Sequence, residues 1–332
     1  QKKIKLLITV RDPASANDII QILDIICQDK RFFLKVVAQE PAYSIISSKK
    51  YKFFNPSVHL ADKINKTSDE FIEALINKEF LSFQPDCILT GISGPDYGID
   101  EIATNICSEN HNIKSYSIQS YWGDLNQSKG EIADTIFVLD NFAKSVTEKR
   151  CSGKEVIVTG PMQFESYNNI DICKERKKFR TSHDINDNQS IIALFGQPLF
   201  EFDWYRATIS FFLESIPWNQ EPLLIYKTHP KESIESIEWV KGKFSSKLYK
   251  ETRIISDQDS YHVIAGSDIT ASIFSTVGYD LQNMLVRSGQ AFSLPIYLFY
   301  NEECRDWYKE YTKLQTIPMS DKGMSLLIEK ES

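Results

Sequence analysis

Lys227 and His229 stand at the end of an apolar run, Leu224-Ile225-Tyr226-Lys227-Thr228-His229-Pro230, and Pro230 forces the chain to turn there. An ammonium and an imidazole on a strand end can hydrogen-bond a phosphate and offset its charge. A second segment, Ser267-Asp268-Ile269-Thr270-Ala271-Ser272-Ile273-Phe274-Ser275-Thr276, is a short strand running into hydroxyl residues. Val277, Leu281 and Leu285 then follow at helical spacing, and Arg287 with Gly289 marks a helix end. Ser275 or Thr276 is a natural N-cap. A helix start rich in hydroxyls is also an anion site, through unpaired N–H groups and the helix dipole. In the first half, Gly91-Ile92-Ser93-Gly94-Pro95-Asp96-Tyr97-Gly98-Ile99-Asp100-Glu101 puts three carboxylates after a strand and into a helix start. Asp96, Asp100 and Glu101 are candidate general bases, while Asp100 and Glu101 also suit the first turn of a helix. Asp12, in the first strand-to-helix turn, is either an acceptor-side carboxylate or a cap. Ser93 and Trp122 complete the acceptor-side candidates, the latter within Tyr121-Trp122-Gly123-Asp124.

These residues need a scaffold, and the chain alternates short apolar runs with longer amphipathic ones. Strands are expected at 4–10, 33–38, 86–90, 115–119, 135–139 and 155–159, with helical spacing at Ile19, Ile20, Leu23 and Ile26 and a helix over 99–110. Residues 165–189 are polar and read as an interdomain crossing followed by a surface helix. Alternation restarts with strands at 190–195, 223–227, 253–255 and 268–271, and helices near 204–213, 234–244 and from 275. Strand–helix alternation calls for parallel sheets covered on both faces. The expected fold is α/β, with two doubly wound Rossmann-like domains facing a central cleft. The N-terminal domain would span 1–162 and the C-terminal one 163–315, with 316–332 a helix packing back on the N-terminal domain. Ligands of such sheets lie beyond the carboxyl ends of the strands, where the candidate residues fall.

Composition narrows the function classes. The 332 residues carry a formal net charge of −7, which disfavours general nucleic-acid binding and an anionic bilayer. No apolar run reaches the ~18 residues of a membrane helix. Six scattered cysteines, without a CxxC pair, suit a reducing cytoplasmic setting, with peripheral association at the inner membrane face still open. There is no GxGxxG after the first strand, no P-loop, no GxSxG elbow and no zinc spacing around His59, His111, His183 or His262. Asp257-x-Asp259 matches a metal-binding DxD in form, but its place between a strand and a helix favours capping. Lys49-Lys50-Tyr51-Lys52 and residues 174–180 are basic clusters that read as solvated faces or as a surface for an anionic acceptor.

The order of a strand with Lys-x-His-Pro, some forty residues, then a strand entering Ser/Thr resembles the C-terminal half of GT-B glycosyltransferases. The likeness is to bacterial sialyltransferases and to Kdo- or nonulosonate-transferring enzymes, and the same pattern is reminiscent of wall-teichoic-acid glycerol-phosphate polymerases. Gly196-Gln197-Pro198 resembles the donor-side loop, and Phe137-Val138-Leu139-Asp140 with Val156-Ile157-Val158-Thr159-Gly160-Pro161 resembles the approach to the interdomain linker. The resemblance implies a metal-independent transferase moving a sugar, such as a nonulosonic acid or Kdo from a CMP donor, to a glycan, lipid-linked or other hydroxyl acceptor in surface polysaccharide synthesis. No metal or resident cofactor is expected. His229, Ser275 and Thr276 would hold the donor phosphate, with Gly196, Gln197, Lys227 and Ser272 around them. The sialyltransferase motif of two carboxylates followed by Gly is absent in that form, which leaves the base among Asp96, Asp100 and Glu101. The alternatives are a non-hydrolysing nucleotide-sugar 2-epimerase and a non-catalytic nucleotide or sugar sensor.

Overall fold

The computed structural model describes residues 3–49, 59–60, 68–94, 96–109, 113–168, 170–245, 251–318, 320 and 323–329. Lys50, Tyr51, Lys52, Pro95 and His111 lie outside the described residues. The chain divides into two compact units, Gln1–Glu165 and Ser166–Ser332.

The first unit runs β1 (Ile4–Val10), α1 (Pro13–Ile26), β2 (Phe32–Gln39), α2 (Ala42–Ser48), β3 (His59–Leu60), α3 (Asp69–Phe83), β4 (Cys87–Thr90), α4 (Ile99–Glu109), β5 (Lys114–Ile118), β6 (Thr135–Val138), α5 (Asn141–Arg150) and β7 (Glu155–Val158). Its seven parallel strands are ordered β3-β2-β1-β4-β5-β6-β7. Strand β1 shows why such runs are apolar throughout. Leu6, Ile8 and Val10 pack on Ile19, Ile20 and Leu23 of α1, while Leu7 faces Ile72 and Ile76 of α3 and Ile102 of α4. A strand covered on both faces has no polar side to display. Helix α3 was not anticipated, although Ser68 caps it, accepting from Phe71 N, and Ile72, Ile76, Phe80 and Phe83 form its buried face.

The second unit runs α6 (Ile172–Ser182), β8 (Ile191–Phe195), α7 (Asp203–Ser215), β9 (Leu223–Lys227), α8 (Ile234–Phe244), β10 (Thr252–Ile255), α9 (Ser260–Gly266), β11 (Ile269–Ser272), α10 (Val277–Ser288), β12 (Leu294–Leu298), α11 (Glu302–Thr312) and β13 (Leu326–Ile328). Its six parallel strands are ordered β10-β9-β8-β11-β12-β13. Helix α10 closes at Gly289, whose φ of 65° is the left-handed conformation that glycine adopts without a Cβ penalty.

The structure corrects the reading of the C-terminal segment. Residues 326–328 form β13, which pairs with β12 in register Ile296↔Leu326, so the segment extends the second unit's own sheet and is not a helix on the first unit. A three-residue apolar run is too short for helical period to identify it. In the basic run of α6, Lys174, Lys177 and Lys178 are exposed, as expected of a solvated face, while the two arginines turn inward. Arg176 donates to Ala265 O and Ser267 O, Arg180 donates to Asn186 O and Gln189 O, and both reach the Asp268 carboxylate. These two guanidiniums lock α6 to the loop before β11, and are not an open anion surface.

Candidate functional site

Each sheet reverses its strand order once, between β1 and β4 in the first unit and between β8 and β11 in the second. The loops that leave these points diverge and open the place where parallel sheets bind ligands.

At the second unit's reversal, three loops meet on the carboxyl edge. Gly196 N donates to Lys227 O at 2.9 Å, joining the ends of β8 and β9. Gln197 Oε1 accepts from Phe274 N at 3.2 Å, joining the loop after β8 to the loop after β11. A Cβ on Gly196 would collide with Tyr226 Oη and Glu232 Oε2, so only glycine lets this backbone close on the β9 turn. His229 is half-buried, and its Nδ1 accepts from Lys231 N at 3.0 Å. An acceptor nitrogen carries no proton, so the neutral ring is the Nε2–H tautomer, a donor. Ser275 and Thr276 are also half-buried, at the start of α10, where Ser275 Oγ accepts from Val277 N at 3.3 Å. Thr276 occupies the N-cap position without a side-chain cap bond. From β9 to β11 is two strand spacings, roughly 10 Å. The imidazole and the hydroxyls therefore share one rim, with Gly196-Gln197 between them. Asp280 already lies buried in the first turn of α10 and draws on the same dipole, so the anion-binding capacity rests on the imidazole and hydroxyl donors.

Two of the residues expected to hold phosphate do something else. Lys227 is 5% exposed, and its Nζ donates to Thr228 O at 3.0 Å and Ser256 O at 3.4 Å. It fastens the ends of β9 and β10 together from beneath the rim. Burial pushes its ammonium down from the ordinary lysine range, against the pull of Asp257, Asp259 and Glu232. Ser272 is buried at the end of β11, below the surface a ligand would reach. Asp259 takes the N-cap position of α9 but makes no cap bond. With Asp257, Gln258, His262 and Lys178 it lines a separate pocket of about 250 Å³.

The first unit's reversal is an interlocked polar cluster. Asp100 is buried and accepts from Thr9 Oγ1 at 2.9 Å, Ser93 Oγ at 3.0 Å, Arg11 N at 3.1 Å and Gly91 N at 3.2 Å. Glu101, also buried, accepts from Ser93 N and Gly98 N, each at 2.8 Å. Arg11 donates to Tyr97 O, Gly94 O and Asp96 O, and Asp12 accepts from Arg11 Nε and Gly94 N. Apart from the Arg11–Asp12 pair, these bonds grip the loop after β4 or tie it, or the first turn of α4, to the end of β1. Burial raises the Asp100 carboxyl, and burial together with the neighbouring Asp100 charge pushes Glu101 up to about 8.

This cluster corrects the candidate bases. Asp100 and Glu101 brace a loop from inside; Ser93, fully buried, is part of the same brace. Asp96 is the carboxylate among the three that is exposed, and its Oδ1 accepts from Tyr97 N at 2.8 Å. Asp12 precedes α1 without capping it. Trp122 is 2% exposed and its Nε1 donates to Asp140 Oδ2 at 2.9 Å, so it packs in the core and offers no face to a sugar. No helix among the described residues is long and apolar enough to cross a membrane.

Sequence comparison finds no matching family model and no matching curated protein. Structural comparison finds many folds of this type. The Methanocaldococcus jannaschii UDP-GlcNAc 2-epimerase, in complex with UDP-GlcNAc and UDP, superposes with a TM-score of 0.69 at 12% identity, over 98% of this chain and 89% of that one. The Neisseria meningitidis UDP-GlcNAc 2-epimerase bound to UDP-GlcNAc gives 0.66 at 14% identity, over 98% and 95%. A glycosyltransferase from Rickettsia africae gives 0.55 at 14%, over 90% and 79%. At these identities the likeness establishes the GT-B-like fold.

Proposed function

We propose that the second unit binds the phosphate of a nucleotide-activated sugar, and that the chain is an enzyme inverting C2 of a UDP-sugar. One observation carries the binding reading: His229, fixed as an Nε2–H donor, shares a sheet edge with Gln197 and with the Ser275 and Thr276 hydroxyls at the start of α10. The named activities of the two epimerase neighbours, and the UDP and UDP-GlcNAc that they hold, support a UDP-sugar over the CMP donor implied by sequence resemblance. Glycosyl transfer is the second reading, favoured by the Lys-x-His-Pro and Ser-Thr pattern and by the Rickettsia africae neighbour.

Both reactions make the same demand on this rim. The C2 hydrogen of a pyranose is not acidified by a carbonyl, so its removal needs help from departure of the nucleotide at C1. A proton then returns to the opposite face of C2 as the nucleotide oxygen re-forms the C1–O bond. In transfer the same C1–O bond breaks. Its electron pair settles on the phosphate oxygen, and preorganised donors there lower the barrier because the charge they meet grows in the transition state. A half-buried N–H and two hydroxyls on a rigid edge suit that task.

Incubation with UDP-GlcNAc alone in D2O, followed by proton NMR, separates the readings. Epimerisation gives the C2 epimer with deuterium at C2 and needs no acceptor. A transferase leaves C2 unlabelled and yields UDP only when a hydroxyl acceptor is added. Unchanged substrate under both conditions overturns the UDP-sugar assignment.

A further inference from the structure

We infer that Glu232 is a positioning residue of the nucleotide site, holding the His229 turn through a buried hydrogen-bonded chain that crosses the ends of β9, β8 and β11. This rests on the phosphate-binding reading above and adds to it a residue that touches no ligand. Glu232 Oε2 accepts from His229 N at 3.0 Å. Its Oε1 accepts from Tyr226 Oη at 2.5 Å and from Ser236 Oγ at 2.6 Å. Tyr226 Oη lies 3.5 Å from Tyr205 Oη, which accepts from Gln197 N at 2.9 Å. Gln197 Oε1 then accepts from Phe274 N, next to Ser275. Each of the three loops carrying a phosphate candidate is therefore fastened to one run of buried side chains, and Glu232 closes it at the imidazole end. Gly196 is the counterpart on the β8 side, since any Cβ there would strike Tyr226 and Glu232.

The carboxylate form matters because all three groups bonded to it donate. The hydroxyls of Tyr226 and Ser236 can rotate to accept instead; the His229 amide cannot. A proton taken up by Glu232 therefore settles on Oε1. Oε2, now a neutral carbonyl oxygen, accepts the His229 N–H less strongly, because charge-assisted hydrogen bonds are about twice as strong as neutral ones. The charged and titratable groups facing it are Tyr226 and Lys227 from β9, His229 from the turn and Tyr205 from α7, with uncharged Ser236 from α8. Burial raises the Glu232 carboxyl above the usual range, and the hydrogen bonds and Lys227 oppose this. Acid then lowers phosphate affinity as Glu232 takes its proton. Protonation of other protein groups has the opposite sign, while the terminal phosphate of UDP loses charge below its own second pKa of about 6. The part of the acid limb that Glu232→Gln removes is therefore the part assigned to Glu232.

The test is calorimetric titration with UDP from pH 5 to 8, for wild type, Glu232→Gln and Tyr226→Phe, alongside nitrogen-15 spectra of the His229 ring. The expected results are a fall in wild-type affinity on acidification and at least tenfold weaker binding by Glu232→Gln at neutral pH. That variant should also show a shallower acid limb, reduced to the share set by the phosphate itself, and show His229 as mixed tautomers. Tyr226→Phe, which removes one donor without changing shape, should fall between the two and keep the acid limb. Wild-type affinity and an unchanged pH profile in Glu232→Gln would overturn the inference, as would weaker binding that retains the full wild-type acid limb. A wild-type protein that ignores UDP would sink the nucleotide reading. The ring spectra would then still decide the role of Glu232, because unchanged tautomers in the variant refute it without any ligand.

Discussion

His229→Ala should weaken UDP binding about 10- to 100-fold and lower kcat/KM for the nucleotide-sugar at least as much. A hydrogen bond to a charged group contributes about 1.5–3 kcal/mol, and here it meets a phosphate whose charge grows as C1–O breaks. Thermal stability should move by no more than about 2 °C, since His229 is half-buried on a turn and core truncation is what costs more. Calorimetry with UDP, steady-state kinetics and a melting curve on one preparation make the comparison. A variant that binds and turns over like wild type removes the imidazole from the site.

The opposite signature is expected at Asp100. Asp100→Ala strands the buried donors of Thr9, Ser93, Arg11 and Gly91 without their acceptor. Leaving a buried polar network without its hub costs roughly 3–5 kcal/mol, or roughly 6–20 °C of melting temperature for a domain of this size. The adjacent Glu101 adds a pH dependence. Its folded carboxyl, near 8, lies above the unfolded value of 4.5, so the native state holds the extra proton between those limits. Stability is then greatest at the acid end of that window and declines as pH rises towards 8. Glu101→Gln should flatten that decline. Differential scanning calorimetry from pH 5 to 8.5 measures both effects. If Asp100→Ala melts with wild type yet abolishes turnover, Asp100 is a reacting group after all and the brace is misassigned.

The contrast between these residues shows how far the sequence could be read. Strands such as β1 and β9 were legible because burial on both faces makes an unbroken apolar run, and α8 because its period and Ser233 cap agree. Strand β12 was obscured by Pro295, a residue that usually argues against a strand. The rim positions of His229, Ser275 and Thr276 followed from strand ends, and those of Gly196 and Gln197 from the resemblance to a donor-side loop. What each side chain does there was less visible. A lysine closing an apolar strand suits a phosphate or a neighbouring carbonyl equally, and the contacts to Thr228 O and Ser256 O decide for Lys227. Two acids in the first turn of a helix look exposed and dipole-stabilised in sequence. In the fold they turn inward, because the loop after β4 returns over them and supplies its N–H groups. The role of Glu232 is hidden in sequence because its partners on β9, the turn and α8 converge only in the fold, although its place three residues after His229 is that of a side chain able to reach back to the turn's N–H.

The most direct test of the account is a crystal structure of the protein with UDP. The account predicts a phosphate oxygen within hydrogen-bond distance of His229 Nε2, another at the Ser275 or Thr276 hydroxyl, and the Gly196-Gln197 backbone alongside. Diphosphate bound elsewhere, with those three loops untouched, would contradict it.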